Sequence, residues 1–465
     1  MEVAALSPGD WLGLFHHELL LFASLFFLLG TLDEILIDLV YLVGRVRGRL
    51  STVAIDRRGL EGRALSGPVA VIVPAWCEEQ VIGATMRHLL SAWPQSALRL
   101  YVGCYANDPA TIAAAARAAR GHDRARIVVS AAHGPTTKAD CMNRLYRAIE
   151  EDEAREGIAF RMVVIHDAED MVDPAALPLF DANLARADLL QLPVSPAPQA
   201  GSRWVAGHYM DEFAEAHAKA MVVRDWLGAG IPSAGVGCAV ARGRLALLDA
   251  AAKGRGPFDA DSLTEDYELG LRIAEGGGRT AFLRARGEDG RLVATRAYFP
   301  RHLTTAVRQK TRWICGISLQ GWDRMGWGGN LLDGWMRLRD RRGPMAALVL
   351  FAAYMLVIVT GALVLLGHFG LARPVELSPL VEVLLYANGA GLVWRAVNRA
   401  AFTAREYGWR EGLRAVLRIP LSNIIAIMAG RRAVAQYVAT LRGGMLQWDK
   451  TEHRGHPSLA RQATA

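Results

Sequence analysis

Two apolar runs decide most of what this chain can fold into. Residues 344–370, PMAALVLFAAYMLVIVTGALVLLGHFG, hold no Asp, Glu, Lys or Arg, and about 20 such residues in a helix cross the hydrocarbon of a bilayer. Residues 19–43, LLLFASLFFLLGTLDEILIDLVYLV, reach about 37 Å as a helix against a core of about 30 Å. RVRGR (45–49) follows this run and RLRDRRG (337–343) precedes the other. The segment between them is therefore expected on the cytoplasmic side, where Lys and Arg accumulate. SPLVEVLLYANGAGLVWRAV (378–397) is the third predicted crossing. IPLSNIIAIMAG (419–430), stopped by Arg431 and Arg432, is short for a crossing and predicts a re-entrant or interfacial piece. MEVAALSPGD at the start lacks the basic region of a cleavable signal.

The charge balance fits this arrangement. Lys and Arg number 53 against 46 Asp and Glu, a net +7, and the surplus hugs the apolar runs, which argues against nucleic acid as the partner. Asp33, Glu34 and Asp38 lie inside the first run and have two readings: they sit at the headgroups, or they face a polar cavity between helices. WDRMGWGGNLLDGWMRLRDRRG (322–343) has the Trp, Leu and Arg content of a helix lying in the membrane interface. Five cysteines without a CxxC pair predict a reducing compartment, no disulfide framework and no zinc site. The chain thus divides into an N-terminal transmembrane helix (1–44), a soluble domain (60–320), an amphipathic interfacial helix (321–343), a C-terminal transmembrane region (344–430) and a cytoplasmic tail (431–465).

In the soluble domain, short and nearly continuous apolar runs (PVAVIVPA, LRLYVGC, RIVVS, FRMVVIHD) alternate with helical patterns. This predicts an α/β, Rossmann-like and mostly parallel sheet covered on both faces. Ligands bind such sheets beyond the carboxyl ends of the strands. Three of the runs end in acids, WCEE, YANDPAT and HDAEDMVDP, which brings those side chains to one rim.

HDAEDMVDP holds Asp167, Glu169, Asp170 and Asp173. Carboxylates one residue apart at a strand end can share a hard cation, and Mg²⁺ or Mn²⁺ is typically held by one or two carboxylates plus substrate phosphates. Glu78 follows the first strand and Asp108 the second, and Lys138 in GPTTKADCMN supplies a cation for phosphate or sugar oxygens. Asp266 in SLTEDYELGLRI stands at a helix start, where the dipole favours negative charge, and Thr264 reads as that helix's cap. Gln309, Arg312 and Trp313 in RQKTRWICG fall on one side of a helix.

The ordered set P-A-W-C-E, N-D, K-A-D-C-M-N, D-A-E-D, T-E-D and Q-x-x-R-W, flanked by membrane helices, resembles the inverting, membrane-embedded family-2 glycosyltransferases such as cellulose and hyaluronan synthases. The wording of the motifs is most similar to the bacteriophage N4 adsorption protein B group, inner-membrane glycosyltransferases tied to a surface polysaccharide. The C-terminal WDKTEH (448–453) resembles a tail found in many such synthases. The resemblance implies a GT-A type cytoplasmic domain flanked by transmembrane helices in a bacterial inner membrane. It implies that Glu78, Asp108, Lys138 and Asp167 bind the nucleotide sugar and that Asp167 and Glu169 hold Mg²⁺ or Mn²⁺. Asp266 would be the general base, and Gln309, Arg312, Trp313 and Glu265 would meet the acceptor and the diphosphate. Cys238, in SAGVGCAVAR, takes the place of the family's acceptor-site stretch. The sequence departs from the pattern at Asn107, where many relatives have an acid, at Cys77, and at D-A-E-D, where Asp170 competes with Glu169 for the metal.

The activity so implied is inverting transfer of a sugar from a nucleotide-diphosphate donor, a UDP-N-acetylhexosamine, to a growing exopolysaccharide, coupled to export. The partners are the donor, the polysaccharide, membrane lipid, and an export partner or a homo-oligomer. The rival readings are a glycosyltransferase making a single addition to a polyprenyl phosphate, and an inactive membrane scaffold or phage-receptor component.

Overall fold

The computed structural model describes residues 8–50, 52–370, 377–443 and 455–462; WDKTEH at 448–453 lies outside them. Eleven strands form among the described residues, in chain order: β1 Val53–Ile55, β2 Val69–Pro74, β3 Leu98–Tyr105, β4 Ala125–Ser130, β5 Met162–Ile165, β6 Leu189–Gln191, β7 Val194–Pro196, β8 Cys238–Ala241, β9 Thr280–Phe282, β10 Ala285–Gly287 and β11 Thr295–Ala297. Seven make the central sheet, in the order β4-β3-β2-β5-β8-β6-β9, and β1–β10 and β7–β11 form two small parallel pairs.

Both faces of the sheet are covered. Val69, Val71 and Val73 of β2 enter one core with Leu89, Trp93 and Phe180, and Ala70 and Ile72 enter the other with Leu145, Ile149 and Leu269. The period of two sends successive side chains to opposite faces. Each fully buried Val, Leu or Ile contributes roughly 1.5–3 kcal/mol, which is why these strands read as unbroken apolar runs. The sheet is parallel except at β8, which pairs antiparallel with both β5 and β6. Cys238, the first residue of β8, lies opposite Ile165, the last of β5. The loop entering β8 therefore arrives at the rim that β5 leaves.

Four helices among the described residues are long and apolar enough to cross a membrane: Pro8–Val46, Gly343–His368, Pro379–Tyr407 and Ile419–Leu441. The last corrects the expectation of a short piece ending at 430. The helix runs on past Arg431 and Arg432 because Ile425, Ala429, Gly430 and Ala433 form a buried stripe. A Cβ on Gly430 would lie 2.4 Å from that of Ala347, so the glycine lets two membrane helices meet closely. Residues 321–343 form two helices, Gly321–Met325 and Leu331–Arg341, with Gly326 between them at φ +53°.

The acids of the first helix turn toward protein. Asp33 accepts from Trp335 Nε1 at 2.8 Å and pairs with Arg339 and Arg342. Glu34 pairs with the same two arginines, and Asp38 meets Lys219 Nζ at 2.6 Å and Trp394 Nε1 at 2.7 Å. The helix Leu331–Arg341 and the segment carrying Lys219 are thereby fastened to the helix Pro8–Val46.

Candidate active site

A cavity of about 510 Å³ opens at the carboxyl rim of the sheet. Nine of the ten residues to which the family resemblance gives a role line it: Glu78, Lys138, Asp167, Glu169, Glu265, Asp266, Gln309, Arg312 and Trp313. The tenth, Asp108, stands behind the wall. One carboxylate oxygen accepts the Cys77 N–H at 2.6 Å and the other caps the helix Pro109–Ala119 through the Thr111 N–H at 3.2 Å. It shapes the turn that carries Trp76 and Glu78.

Lys138 is the first residue of the helix Lys138–Glu156, which Thr137 caps by accepting the Asp140 N–H at 3.1 Å. Its Nζ lies 2.6 Å from Asp167 Oδ1 and donates to the Gly235 carbonyl at 3.5 Å. Burial would lower the Lys138 pKa, but Asp167, Glu265 and Asp266 more than reverse this and hold the ammonium charged. The same crowding acts on the acids. Burial, with Asp266 beside it, pushes the Glu265 carboxyl up to about 7. Burial raises Asp266 too and Asp167 adds to the shift, against the pull of Lys138, the Tyr267 N–H and Arg312.

The D-A-E-D tetrad divides its labour. Asp170 is buried, and its Oδ2 accepts the Asp167 N–H at 3.0 Å and meets His166 Nδ1 at 2.9 Å. It holds the turn, while Asp167 and Glu169 are the more accessible members on the cavity wall. Thr264 stands at the start of the helix Glu265–Glu275 without capping it through its side chain, because that side chain lies against Gly316, where a Cβ would come within 2.5 Å of Thr264 Oγ1.

Gln309, Arg312 and Trp313 reach the cavity from the helix Leu303–Trp313, which packs on the membrane helix Ile419–Leu441 through Ala306, Val307, Ile425 and Ala429. Gln309 Oε1 is buried with no hydrogen-bond partner among the described residues. Trp313 sits edge-on to Tyr209 with ring centres 6.1 Å apart. Cys238 does not line the cavity; it is fully buried, receives the Ser233 hydroxyl at 3.2 Å, and burial pushes its thiol up to about 12.

Other wall residues were given no role from the sequence. Trp76 meets Tyr105 edge-on at 5.1 Å, and its place two residues before Glu78 was the available signal. Glu212, Phe213 and His217 come from one helical stretch, and Tyr298 and Phe299 from the segment after β11. Nothing in their spacing marks them as site residues, since the chain folds them in from distant elements.

The chain is 35% identical over 458 residues to bacteriophage adsorption protein B of Escherichia coli strain K12 and to bacteriophage N4 adsorption protein B of Escherichia coli O157:H7. The matches take in 93% of this chain but only 61% of each relative's length. A mannosyltransferase from Pyrobaculum calidifontis, solved in complex with GDP-Man and Mn²⁺, has the same GT-A fold, with a TM-score of 0.50 at 16% identity over 86% of this chain and 99% of that one. Residues 67–316, more than half of the chain and the part that carries all ten of these site residues, match the family model described as glycosyltransferase like family 2, and the protein belongs to that family.

Proposed function

We propose that this protein transfers a sugar with inversion from a nucleotide-diphosphate donor, a UDP-N-acetylhexosamine, to the end of a growing polysaccharide at the cytoplasmic face of a bacterial inner membrane, and feeds the product toward export. One observation carries the reading. Asp266, the Lys138–Asp167 pair and the Gln309–Arg312–Trp313 set share one cavity, and the last three stand on a helix packed against a membrane helix.

The donor set fits a divalent ion. Asp167 and Glu169 offer oxygen ligands on the wall, and no group of three His, Cys, Asp or Glu able to hold a metal exists among the described residues. Two carboxylates completed by substrate phosphate is the pattern of Mg²⁺ or Mn²⁺. Such an ion, when bound, neutralises the charge that develops on the diphosphate. The chain's own groups do the rest. Glu78 and Trp76 stand where the nucleoside enters. Asp266 Oδ1 is held by the Tyr267 N–H at 2.8 Å, which leaves Oδ2 to take the proton of the acceptor hydroxyl. As that oxygen bonds to the anomeric carbon, the bond to the β-phosphate breaks on the opposite side, and the nucleotide diphosphate leaves toward Lys138 and Arg312. Trp313 gives the acceptor ring a flat apolar face. With Asp266 acting as base on the acceptor hydroxyl and no carboxylate assigned to attack the sugar, a single displacement inverts the anomeric carbon.

The test is nucleotide release from a panel of UDP- and GDP-sugars by the purified protein with Mn²⁺, followed by mass analysis of the product. Release from a UDP-N-acetylhexosamine with a polymeric product is expected, and Asp266→Asn should lower the rate by about 10²- to 10⁴-fold. A product with one added sugar would support the polyprenyl-phosphate reading. Equal release by wild type and variant would support a scaffold.

A further inference from the structure

His217 sits on the cavity wall within a π-helical turn, Ala216–Ala220, that interrupts an otherwise α-helical stretch. Such turns cluster at functional sites. Its ring is clamped, with Phe213 at 5.1 Å and Phe282 at 5.5 Å between ring centres. Its Nδ1 accepts the Val194 N–H at 3.0 Å, and the Val194 carbonyl, at 3.2 Å from the same atom, is the longer contact. With Nδ1 accepting from the Val194 N–H, the shorter of the two contacts, the neutral ring carries its hydrogen on Nε2. Nε2 has no hydrogen-bond partner among the described residues and is absent from the fully buried unpaired atoms. Burial, with Arg284 nearby, lowers the imidazole pKa to about 4, so the ring is neutral in the physiological range. The result is a fixed, uncharged N–H donor on the wall of the cavity.

Its place in the cavity indicates which ligand it meets. Phe213 touches His217 on one side and Phe299 and Trp313 on the other, with ring centres 5.1 and 6.3 Å away. His217 therefore continues the aromatic wall begun by Trp313. Resting on the reading of the preceding subsection, we propose that His217 is an acceptor-recognition residue whose Nε2–H donates to a hydroxyl or N-acetyl carbonyl oxygen of the acceptor carbohydrate. A neutral donor suits this task, because it selects an oxygen in a fixed direction without attracting the anionic donor into the acceptor arm.

Two substitutions separate this role from packing. His217→Asn keeps an acceptor for the Val194 N–H and withdraws the donor from the cavity. His217→Gln restores an N–H near the Nε2 position. The probe is the pool of di- to tetrasaccharides released by partial acid hydrolysis of the wild-type product, with KM measured for this acceptor and for the nucleotide sugar. The expected result is a rise of about tenfold in acceptor KM for His217→Asn, the size of one lost hydrogen bond, with donor KM changed less than about twofold and substantial recovery in His217→Gln. Unchanged acceptor KM in His217→Asn, or a parallel rise in both KM values, would overturn the proposal. Absence of product from the wild type would instead remove the reading on which it rests.

Discussion

One ammonium, that of Lys138, faces the carboxylates of Asp167, Glu265 and Asp266. Arg312 is the second cation acting on Glu265 and Asp266, so the donor-free cavity keeps an excess of negative charge. Glu265 answers by holding its proton up to about pH 7, whereas an unfolded glutamate releases it near 4.3. Between those values the folded chain binds more protons than the unfolded one. Glu265 therefore contributes stability that is fully present below about pH 4.3 and is lost as pH rises through about 7. The thermal midpoint of metal-free, donor-free protein should fall between pH 5 and 7.5, and Glu265→Gln should flatten part of that fall. Equal slopes in a fluorescence melting series would mean that Glu265 is already ionised. The sequence resolved this site unevenly, for a physical reason. Asp167, Glu169, Asp266 and Gln309 were legible because strand ends and helix faces fix where short motifs point. Asp108 was less legible: as an N-cap it reads like any acid at a loop, and only the fold shows that its two oxygens accept from the Cys77 and Thr111 N–H groups. Asp170 was ambiguous until its own loop N–H and His166 claimed it.

At the scale of elements, the site depends on a loop that the alternation of strands and helices did not reveal. The four residues of β8 were hidden in SAGVGCAVAR, whose glycines read as a turn. Gly235 and Gly237 hold φ of +75° and +59° there, values that glycine adopts without strain. A Cβ at Gly235 would lie 2.2 Å from Asp266 Oδ2, so this loop and the helix Glu265–Glu275 approach as closely as backbone allows. Gly235→Ala would cost about 1–2 kcal/mol in the left-handed region and would also displace the base. A misplacement near 1 Å lowers turnover by about 10²-fold. The variant should thus lose far more activity than stability, and Gly243→Ala, which meets open space, should lose neither. Comparable losses in a paired melting and nucleotide-release assay would show that the loop's only task is folding. The π-turn that carries His217 also carries Lys219, which reaches Asp38 at 2.6 Å and Glu215 at 2.8 Å. One turn therefore faces the cavity on one side and the first membrane helix on the other, a coupling that no local pattern announces.

For the whole molecule, the junction between catalytic domain and membrane region rests on Arg418, the residue before the helix Ile419–Leu441. Its guanidinium binds both oxygens of Asp211, at 2.7 and 2.6 Å, and also Glu411 at 2.8 Å and the Arg203 carbonyl at 2.9 Å. Arg418 and Asp211 are each 0% exposed, so neither charge can turn to water if the other is lost. Removing one partner of such a pair costs about 3–5 kcal/mol, while replacing both with apolar groups is often neutral. Arg418→Met should accordingly lower the thermal midpoint sharply, and Asp211→Leu with Arg418→Met should recover most of it. Activity should follow a different course. The helix Ile419–Leu441 is also the support of the helix Leu303–Trp313 that presents Gln309, Arg312 and Trp313. Loss of the directional pair lets that support shift even when burial is restored. The double variant is therefore expected to melt near wild type yet keep a raised acceptor KM, measured on the same oligosaccharide pool. If midpoint and KM recover together, the pair acts only as filling, and the membrane helix holds the acceptor wall through its apolar contacts alone.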